Sequence, residues 1–333
     1  MSHIAVFGAG SWGTAFATIL AAGGNEVRVW GRRAELVDQI NSGCNEDYLP
    51  GVRLSPSISA STDPAEVTDG AEIVILSVPS QSLRANLSDW GSLLVGDKIV
   101  VSLMKGIELG TTKRMSEVIH EVAGVPVERI GVVSGPNLAK EIVQQQPAAS
   151  VVACPDLDAA ARVAAACSTS YFRPYTSTDV IGAELGGAVK NVIALAVGMA
   201  AGLGFGDNTK ATIITRGLAE TTRLAMALGA DPRTMAGLAG VGDLIATCMS
   251  PLSRNHSFGV KLGEGLSVAQ VTEETRQQTA EGVKSCASIL DLARAHGVDV
   301  PITEQVVRVV HEGVSPQDMV GVLLGRARKH ETD

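Results

Sequence analysis

The stretch His3-Ile4-Ala5-Val6-Phe7-Gly8-Ala9-Gly10-Ser11-Trp12-Gly13 decides the fold. Five residues of strand character run into a GxGxxG turn, and the apolar helical pattern Trp12–Ala22 follows at once. A glycine pattern alone is a weak sign, but between a strand and a helix it is the turn that carries a dinucleotide. Gly8 permits the tight turn, Gly10 lets the backbone approach a pyrophosphate, and Gly13 lets the helix lie close on the strand. The diphosphate then sits at the helix N-terminus. The competing reading is a glycine-rich turn with no ligand.

Outward from that turn, short β-branched runs alternate with Ala- and Leu-rich helical patterns as far as Tyr175, the signature of βα units in a mainly parallel sheet. The expected strands are His3–Phe7, Glu26–Trp30, Ile73–Val78, Ile99–Leu103, Ile130–Ser134, Ala149–Ala153 and Tyr171–Pro174. The helical patterns between them are Trp12–Ala22, Ala34–Ser42, Ser80–Leu87, Thr112–Val122, Asn137–Gln144 and Leu157–Ala166. Beyond Thr178 the strand signal stops. Long segments with apolar residues three and four apart follow, from Ala183–Gly202 through Thr209–Leu228 to Gln305–Val310, punctuated by Pro232, Pro251 and Pro301. The expected architecture is an α/β Rossmann-type N-terminal domain, 1–178, with an all-α C-terminal domain, 179–333.

Composition limits the function. Over 333 residues, 45% are hydrophobic and 19% charged, which fits folded domains with real cores. A formal net charge of -8 repels phosphate backbones and anionic lipid, so nucleic-acid and membrane-surface binding are disfavoured and any anionic substrate must be attracted locally. Five scattered cysteines, Cys44, Cys154, Cys167, Cys248 and Cys286, form no CxxC and no disulfide framework. The N-terminus has no secretory pattern, and the apolar stretch Val192 to Gly206 is short for a membrane span and interrupted by glycines. The expectation is a cytoplasmic protein without membrane insertion. The six histidines show no ligand spacing, and neither a metal nor a nucleophile is assigned.

Five places carry candidate chemistry. The end of the second strand, where NAD enzymes hold a carboxylate for the ribose, reads Trp30-Gly31-Arg32-Arg33. Arginine there can pair with a 2′-phosphate, although a solvated arginine pair is the plainer reading. Lys190 is the one cation in the apolar segment 186–202. Burial lowers a lysine's pKa and fits it for proton exchange near neutral pH; a structural salt bridge is the alternative, with Glu184 the nearest acidic residue in sequence though not on the same helical face. Lys105 follows the strand Ile99–Leu103 at the carboxyl edge of the sheet, where such folds bind ligands, with a solvated loop lysine as the equal alternative. Asp243 and Thr247, four apart, share a helix face that a hydroxylated substrate can use. Ser253, Arg254 and Asn255 precede the helical pattern Gly259–Leu262 and offer phosphate donors, or ordinary helix capping.

Taken together, GAGSWGTA at 8–15, SGPNLAKE at 134–141, GGAVKNVIALAVGMAAGLGFGDNTKATIITRG at 186–217, GVGDLIATC at 240–248 and SRN at 253–255 resemble bacterial NAD(P)-dependent glycerol-3-phosphate dehydrogenase. The resemblance runs from Ile4 to beyond Glu281. It implies interconversion of dihydroxyacetone phosphate and sn-glycerol 3-phosphate, with NADP(H) or NAD(H), for glycerophospholipid synthesis. It implies Lys190 as the proton-transferring residue, with Lys105, Gly135, Asn137, Asp243, Ser253, Arg254 and Asn255 on the substrate. Cofactor contacts are implied at Ser11, Trp12, Arg32, Arg33, Lys105, Ala139, Arg254, Thr279 and Glu281, beside Gly8, Gly10 and Gly13 of the turn. Asn137 departs from the Ser or Thr of many members, and Arg32-Arg33 from members with other residues there. A homodimer is implied as well. Two other functions compete: an enzyme of the same build acting on another oxo or hydroxy acid, which would turn over a carboxylate substrate, and a dinucleotide sensor without turnover.

Overall fold

The computed structural model describes residues 2–275, 280–327 and 330. Eight strands, β1 His3–Phe7, β2 Glu26–Trp30, β3 Ile58–Ser61, β4 Ile73–Leu76, β5 Ile99–Ser102, β6 Ile130–Ser134, β7 Ala148–Ala153 and β8 Phe172–Ser177, form one sheet in the order β3-β2-β1-β4-β5-β6-β7-β8. All neighbouring pairs are parallel except β6 with β7. The flanking helices are α1 Ser11–Ala22, α2 Ala34–Asn41, α3 Pro64–Thr68, α4 Leu83–Trp90, α5 Met115–Ala123, α6 Ala139–Val143 and α7 Leu157–Cys167. Strand residues enter two separate cores by parity: Ile4, Val6, Ile73 and Ile75 on one face, Ala5, Phe7, Val74 and Leu76 on the other. Burial on both faces is why these strands read as continuous apolar runs.

The pair β3 and α3 adds to the expected elements. Ile58-Ser59-Ala60-Ser61 is a short strand at the sheet edge, and only Ile58 is buried, so it lacks the apolar run that marks the inner strands. The chain leaves β1 toward β2 and β3, then returns to place β4 on β1's other side. This reversal opens a crevice at the carboxyl ends of β1 and β4, the place where such sheets bind ligands.

Beyond β8 the described residues form helices alone: α8 Val180–Gly202, α9 Asp207–Ala227, α10 Pro232–Met235, α11 Asp243–Met249, α12 Arg254–Gly263, α13 Val268–Glu274, α14 Glu281–Ala295, α15 Pro301–Glu312 and α16 Pro316–Leu324. The axis is α8, whose 23 residues exceed the apolar stretch read from sequence. It is long and apolar enough to cross a membrane, yet 89% of its apolar window is buried inside the molecule. Glycines let α12 cross it closely: a Cβ on Gly198 would lie 2.2 Å from the His256 carbonyl oxygen, and one on Gly259 2.3 Å from that of Leu195. That crossing fixes the head of α12 against the middle of α8.

The segment after β5 ties the helical part to the sheet near the crevice. Ile107, on the loop after β5, is buried in the core that α8 organises. At the end of that loop Arg114 donates to Glu184 of α8 at 2.7 Å, and Ser116, in the first turn of α5, donates to that carboxylate through its backbone N–H at 2.8 Å and its hydroxyl at 2.6 Å. Glu184 is therefore not the partner of Lys190.

Candidate functional site

The glycine turn has the geometry its sequence predicts. Gly8 has φ +120°, and a Cβ there would lie 2.5 Å from the Ser77 carbonyl oxygen at the end of β4. A Cβ on Gly13 would lie 2.0 Å from the Gly8 oxygen, whereas at Gly10 it would meet nothing within 4 Å. Two glycines thus serve close packing, and the middle one faces open space where a pyrophosphate can approach. Helix α1 begins at Ser11 with no side-chain cap and no acidic residue in its first turn, leaving N–H groups and a positive dipole end for an anion. The Trp12 indole packs on Phe16, and its Nε1 is buried without a hydrogen-bond partner among the described residues. These features fit a bound dinucleotide.

The segment after α2 clasps this turn. Asn45 Nδ2 donates to the Ala9 carbonyl at 3.0 Å and to Thr14 Oγ1 at 2.9 Å, and Ser11 Oγ donates to the Tyr48 carbonyl at 3.2 Å. At the end of β2 the two arginines divide. Arg33 pairs with Asp47 at 2.6 Å and stands over the Tyr48 ring, while Arg32 is exposed and makes no ion pair or hydrogen bond among the described residues.

The second cluster gathers residues far apart in sequence. Lys190 Nζ, buried mid-way along α8, donates to Asp243 Oδ1 and, at 2.7 Å, to Thr247 Oγ1. Lys105 Nζ reaches the other oxygen of Asp243 at 2.7 Å and the Gly135 carbonyl at 3.1 Å. Two lysines therefore share one buried carboxylate, and the cluster carries net positive charge inside an acidic protein. Burial lowers the Lys190 pKa from the ordinary 10.5 to about 8; the Asp243 charge opposes the fall and the Lys105 charge adds to it.

The backbone explains how Asp243 arrives there. A single π-helical turn, Leu238–Gly242, runs into α11, and a Cβ on Gly186 of α8 would lie 2.3 Å from the Ala239 carbonyl oxygen. The turn therefore lies directly on α8, and Asp243 and Thr247, one helical turn apart, both meet the lysine. Their shared face was legible in the four-residue spacing.

Of the three donors read at the head of α12, each has a different position. Ser253 Oγ accepts from the His256 N–H, the capping role. Asn255 donates to Asn191 Oδ1 at 2.9 Å and accepts from the Gly282 N–H at 2.9 Å. Arg254 is exposed and has no ion pair or hydrogen bond among the described residues. Asn137 lies after β6 and donates to Ser150 Oγ at 3.0 Å. Ala139 opens α6. Glu281, at the start of α14, accepts from Ser80 Oγ at 2.8 Å and so links the helical part to the loop after β4. Thr279 lies outside the described residues.

Three polar residues that sequence reasoning passed over belong to this site. Asn191 donates to the Lys105 carbonyl at 3.4 Å and accepts from Asn255, so it connects the lysine loop to α12. Ser80 connects to Glu281, and Ser134, at the end of β6, has a buried hydroxyl beside Gly187 without a partner among the described residues. The available signal for Asn191 was a second polar residue beside Lys190 in an apolar helix.

The model for the N-terminus of NAD-dependent glycerol-3-phosphate dehydrogenase matches residues 3–160, and that for its C-terminus matches residues 179–321. The glycerol-3-phosphate dehydrogenase (NAD(P)+) of Streptomyces griseus subsp. griseus is 64% identical over 328 residues, covering 98% of this chain and 97% of that protein. That of Thermobifida fusca is 60% identical over 333 residues, covering 99% of each. Among solved structures, the glycerol-3-phosphate dehydrogenase of Coxiella burnetii superposes with a TM-score of 0.92 at 35% identity, over 98% of this chain and 99% of that one.

Proposed function

This chain belongs to the NAD-dependent glycerol-3-phosphate dehydrogenase family, and we propose that Lys190 is its proton carrier, with Arg254 its principal phosphate contact. It is an oxidoreductase that uses NAD(P)H and interconverts dihydroxyacetone phosphate and sn-glycerol 3-phosphate. One observation carries the assignment of Lys190: a buried amine held by Asp243 and Thr247, with its pKa drawn down to about 8.

A bound nicotinamide supplies the hydride to C2 in reduction and takes it up in oxidation. Negative charge develops on the C2 oxygen during reduction, and protonated Lys190 donates to that oxygen. In the reverse direction neutral Lys190 accepts the hydroxyl proton. The roles of Lys105 and Asp243 follow from their contacts: the carboxylate orients both ammonium groups, and Lys105 adds positive potential where the oxyanion forms. Gly135, Asn137, Ser253 and Asn255 complete the substrate contacts. Arg254 receives the phosphate, because it projects from a helix N-terminus and its guanidinium is uncommitted among the described residues.

On the cofactor side, Gly8, Gly10, Ser11, Trp12 and Gly13 hold the diphosphate region. Arg32 and Arg33 stand at the adenosine ribose, and Lys105, Ala139, Arg254 and Glu281 line the rest. The reading divides the chain into a dinucleotide-binding part, 1–178, and a substrate-binding part, 179–333, meeting between β8 and α8. It places the protein in the cytoplasm as a homodimer without membrane insertion, where it supplies glycerol 3-phosphate for glycerophospholipid synthesis. The test is the initial rate of reduced-nicotinamide consumption with dihydroxyacetone phosphate and each cofactor. Turnover that needs Lys190 is expected, and full turnover by Lys190→Ala contradicts the assignment.

A further inference from the structure

We propose that Asp47 determines cofactor specificity: its carboxylate is the ribose clamp missing from the end of β2, supplied by the loop after α2, and its pairing with Arg33 lets one site take either a 2′-hydroxyl or a 2′-phosphate. The proposal rests on the reading of the Arg32-Arg33 edge as the adenosine-ribose site.

The missing clamp is the starting point. A fold of this kind binds the ribose diol with an acidic residue after the second strand, and here that position offers Gly31, Arg32 and Arg33. A carboxylate is nevertheless present in space. Asp47 Oδ2 accepts from Arg33 Nη2 at 2.6 Å, and Gln39 Nε2 donates to Oδ1 at 3.3 Å. Residues on both sides of Asp47 are fastened to the glycine turn: the buried Asn45 to Ala9 and Thr14, and the Tyr48 carbonyl to Ser11. The loop thus has a fixed position beside the nucleotide turn, and Asp47 is held at its cofactor edge.

The two charges select opposite ligands. A carboxylate accepts hydrogen bonds from a vicinal diol and repels a phosphate, while a guanidinium pairs with a phosphate through two parallel N–H bonds. Both partners are substantially exposed, Arg33 at 51% and Asp47 at 38%, and an exposed pair is weak enough to exchange partners. A 2′-phosphate draws Arg33 from Asp47 and joins it with Arg32. A 2′-hydroxyl leaves Arg33 in place and donates to Asp47. The pair is a built-in compromise, which favours neither cofactor strongly.

The test is nicotinamide-fluorescence titration of NADPH and NADH, without substrate, on the wild-type protein, Asp47→Asn, Arg33→Ala and Arg32→Ala. Asp47→Asn tightens NADPH and weakens NADH, each by roughly two- to fivefold, the worth of an exposed charge contact. Arg33→Ala shifts the ratio of the two Kd values the other way. An unchanged ratio in Asp47→Asn, while Arg32→Ala weakens NADPH, overturns the proposal and leaves the ribose-site reading standing. NADPH affinity unaffected by either arginine variant overturns that reading and the proposal with it.

Discussion

The Lys190 cluster and the Arg33–Asp47 pair are both ion pairs at the ligand edge of one sheet, yet they are built on opposite principles. Lys190 and Asp243 are buried, and each has further partners: Thr247 on the lysine, Lys105 on the carboxylate. Arg33 and Asp47 lie at the surface, with Gln39 as the one additional donor to the carboxylate among the described residues. Burial makes an unpaired charge expensive, so the first cluster has essentially one arrangement, suited to chemistry that needs a proton at a fixed point. Exposure makes the second pair cheap to open, suited to choosing between ligands.

The sharpest way to break this contrast is Lys190→Ala. It should lower kcat by roughly 10²–10⁴-fold, the usual worth of a positioned acid or base, while NADPH affinity measured by fluorescence changes little. A folded variant with unimpaired turnover would return Lys190 to a structural role. Arg254→Ala should come next. Loss of a charge-assisted phosphate contact worth about 1.5–3 kcal/mol lowers kcat/KM for dihydroxyacetone phosphate by about tenfold to a hundredfold or more. Arg254→Lys recovers part of it. Unphosphorylated dihydroxyacetone is the control, and an equal loss on both substrates would move Arg254 to the cofactor or the fold.

Packing supplies the third test. The added Cβ of Gly259→Ala meets the Leu195 carbonyl oxygen at 2.3 Å, so α12 must move off α8 at a cost of about 1–3 kcal/mol. A lower melting temperature together with a raised KM for dihydroxyacetone phosphate is expected, and an unchanged melt would show that the crossing has slack. The smallest effect belongs to the surface pair. NADPH should be accepted at least as well as NADH, and replacing Arg32 and Arg33 together by Ala should reduce NADPH kcat/KM by roughly two- to fivefold per arginine. A strong NADH preference that the double variant leaves untouched would remove both arginines from the cofactor site.

The same contrast explains what the sequence made legible. Local geometry was readable: the glycine turn by its neighbours, the shared face of Asp243 and Thr247 by four-residue spacing, the burial of Lys190 by the apolar helix around it. The edge strand Ile58–Ser61 was not, because only one of its four residues is buried and it carries no apolar run. Partner choice across long separations was not readable either. Lys105 and Asp243 are 138 positions apart, and Asn191 and Asn255 are 64 apart. Those contacts follow from the crossings of α8 with α12 and with the turn before α11, which tertiary packing sets. Nothing in Arg32-Arg33 alone told which arginine would be held by Asp47.

The pH dependence of kcat in both directions tests the central claim most directly. Lys190 must be protonated to donate, so reduction should fall as pH rises through about 8 and oxidation should rise over the same interval. The linkage has a definite sign. With the folded pKa below the ordinary 10.5, the unfolded chain binds more protons between about pH 8 and 10.5, so this group's contribution to stability grows with pH across that window. Because the Asp243 charge raises the Lys190 pKa, Asp243→Asn should move the inflection to lower pH whatever its absolute rate. Mirror-image profiles that shift together in Asp243→Asn are the predicted result; profiles without an inflection near 8, or one that Asp243→Asn leaves in place, would contradict Lys190 as the proton carrier.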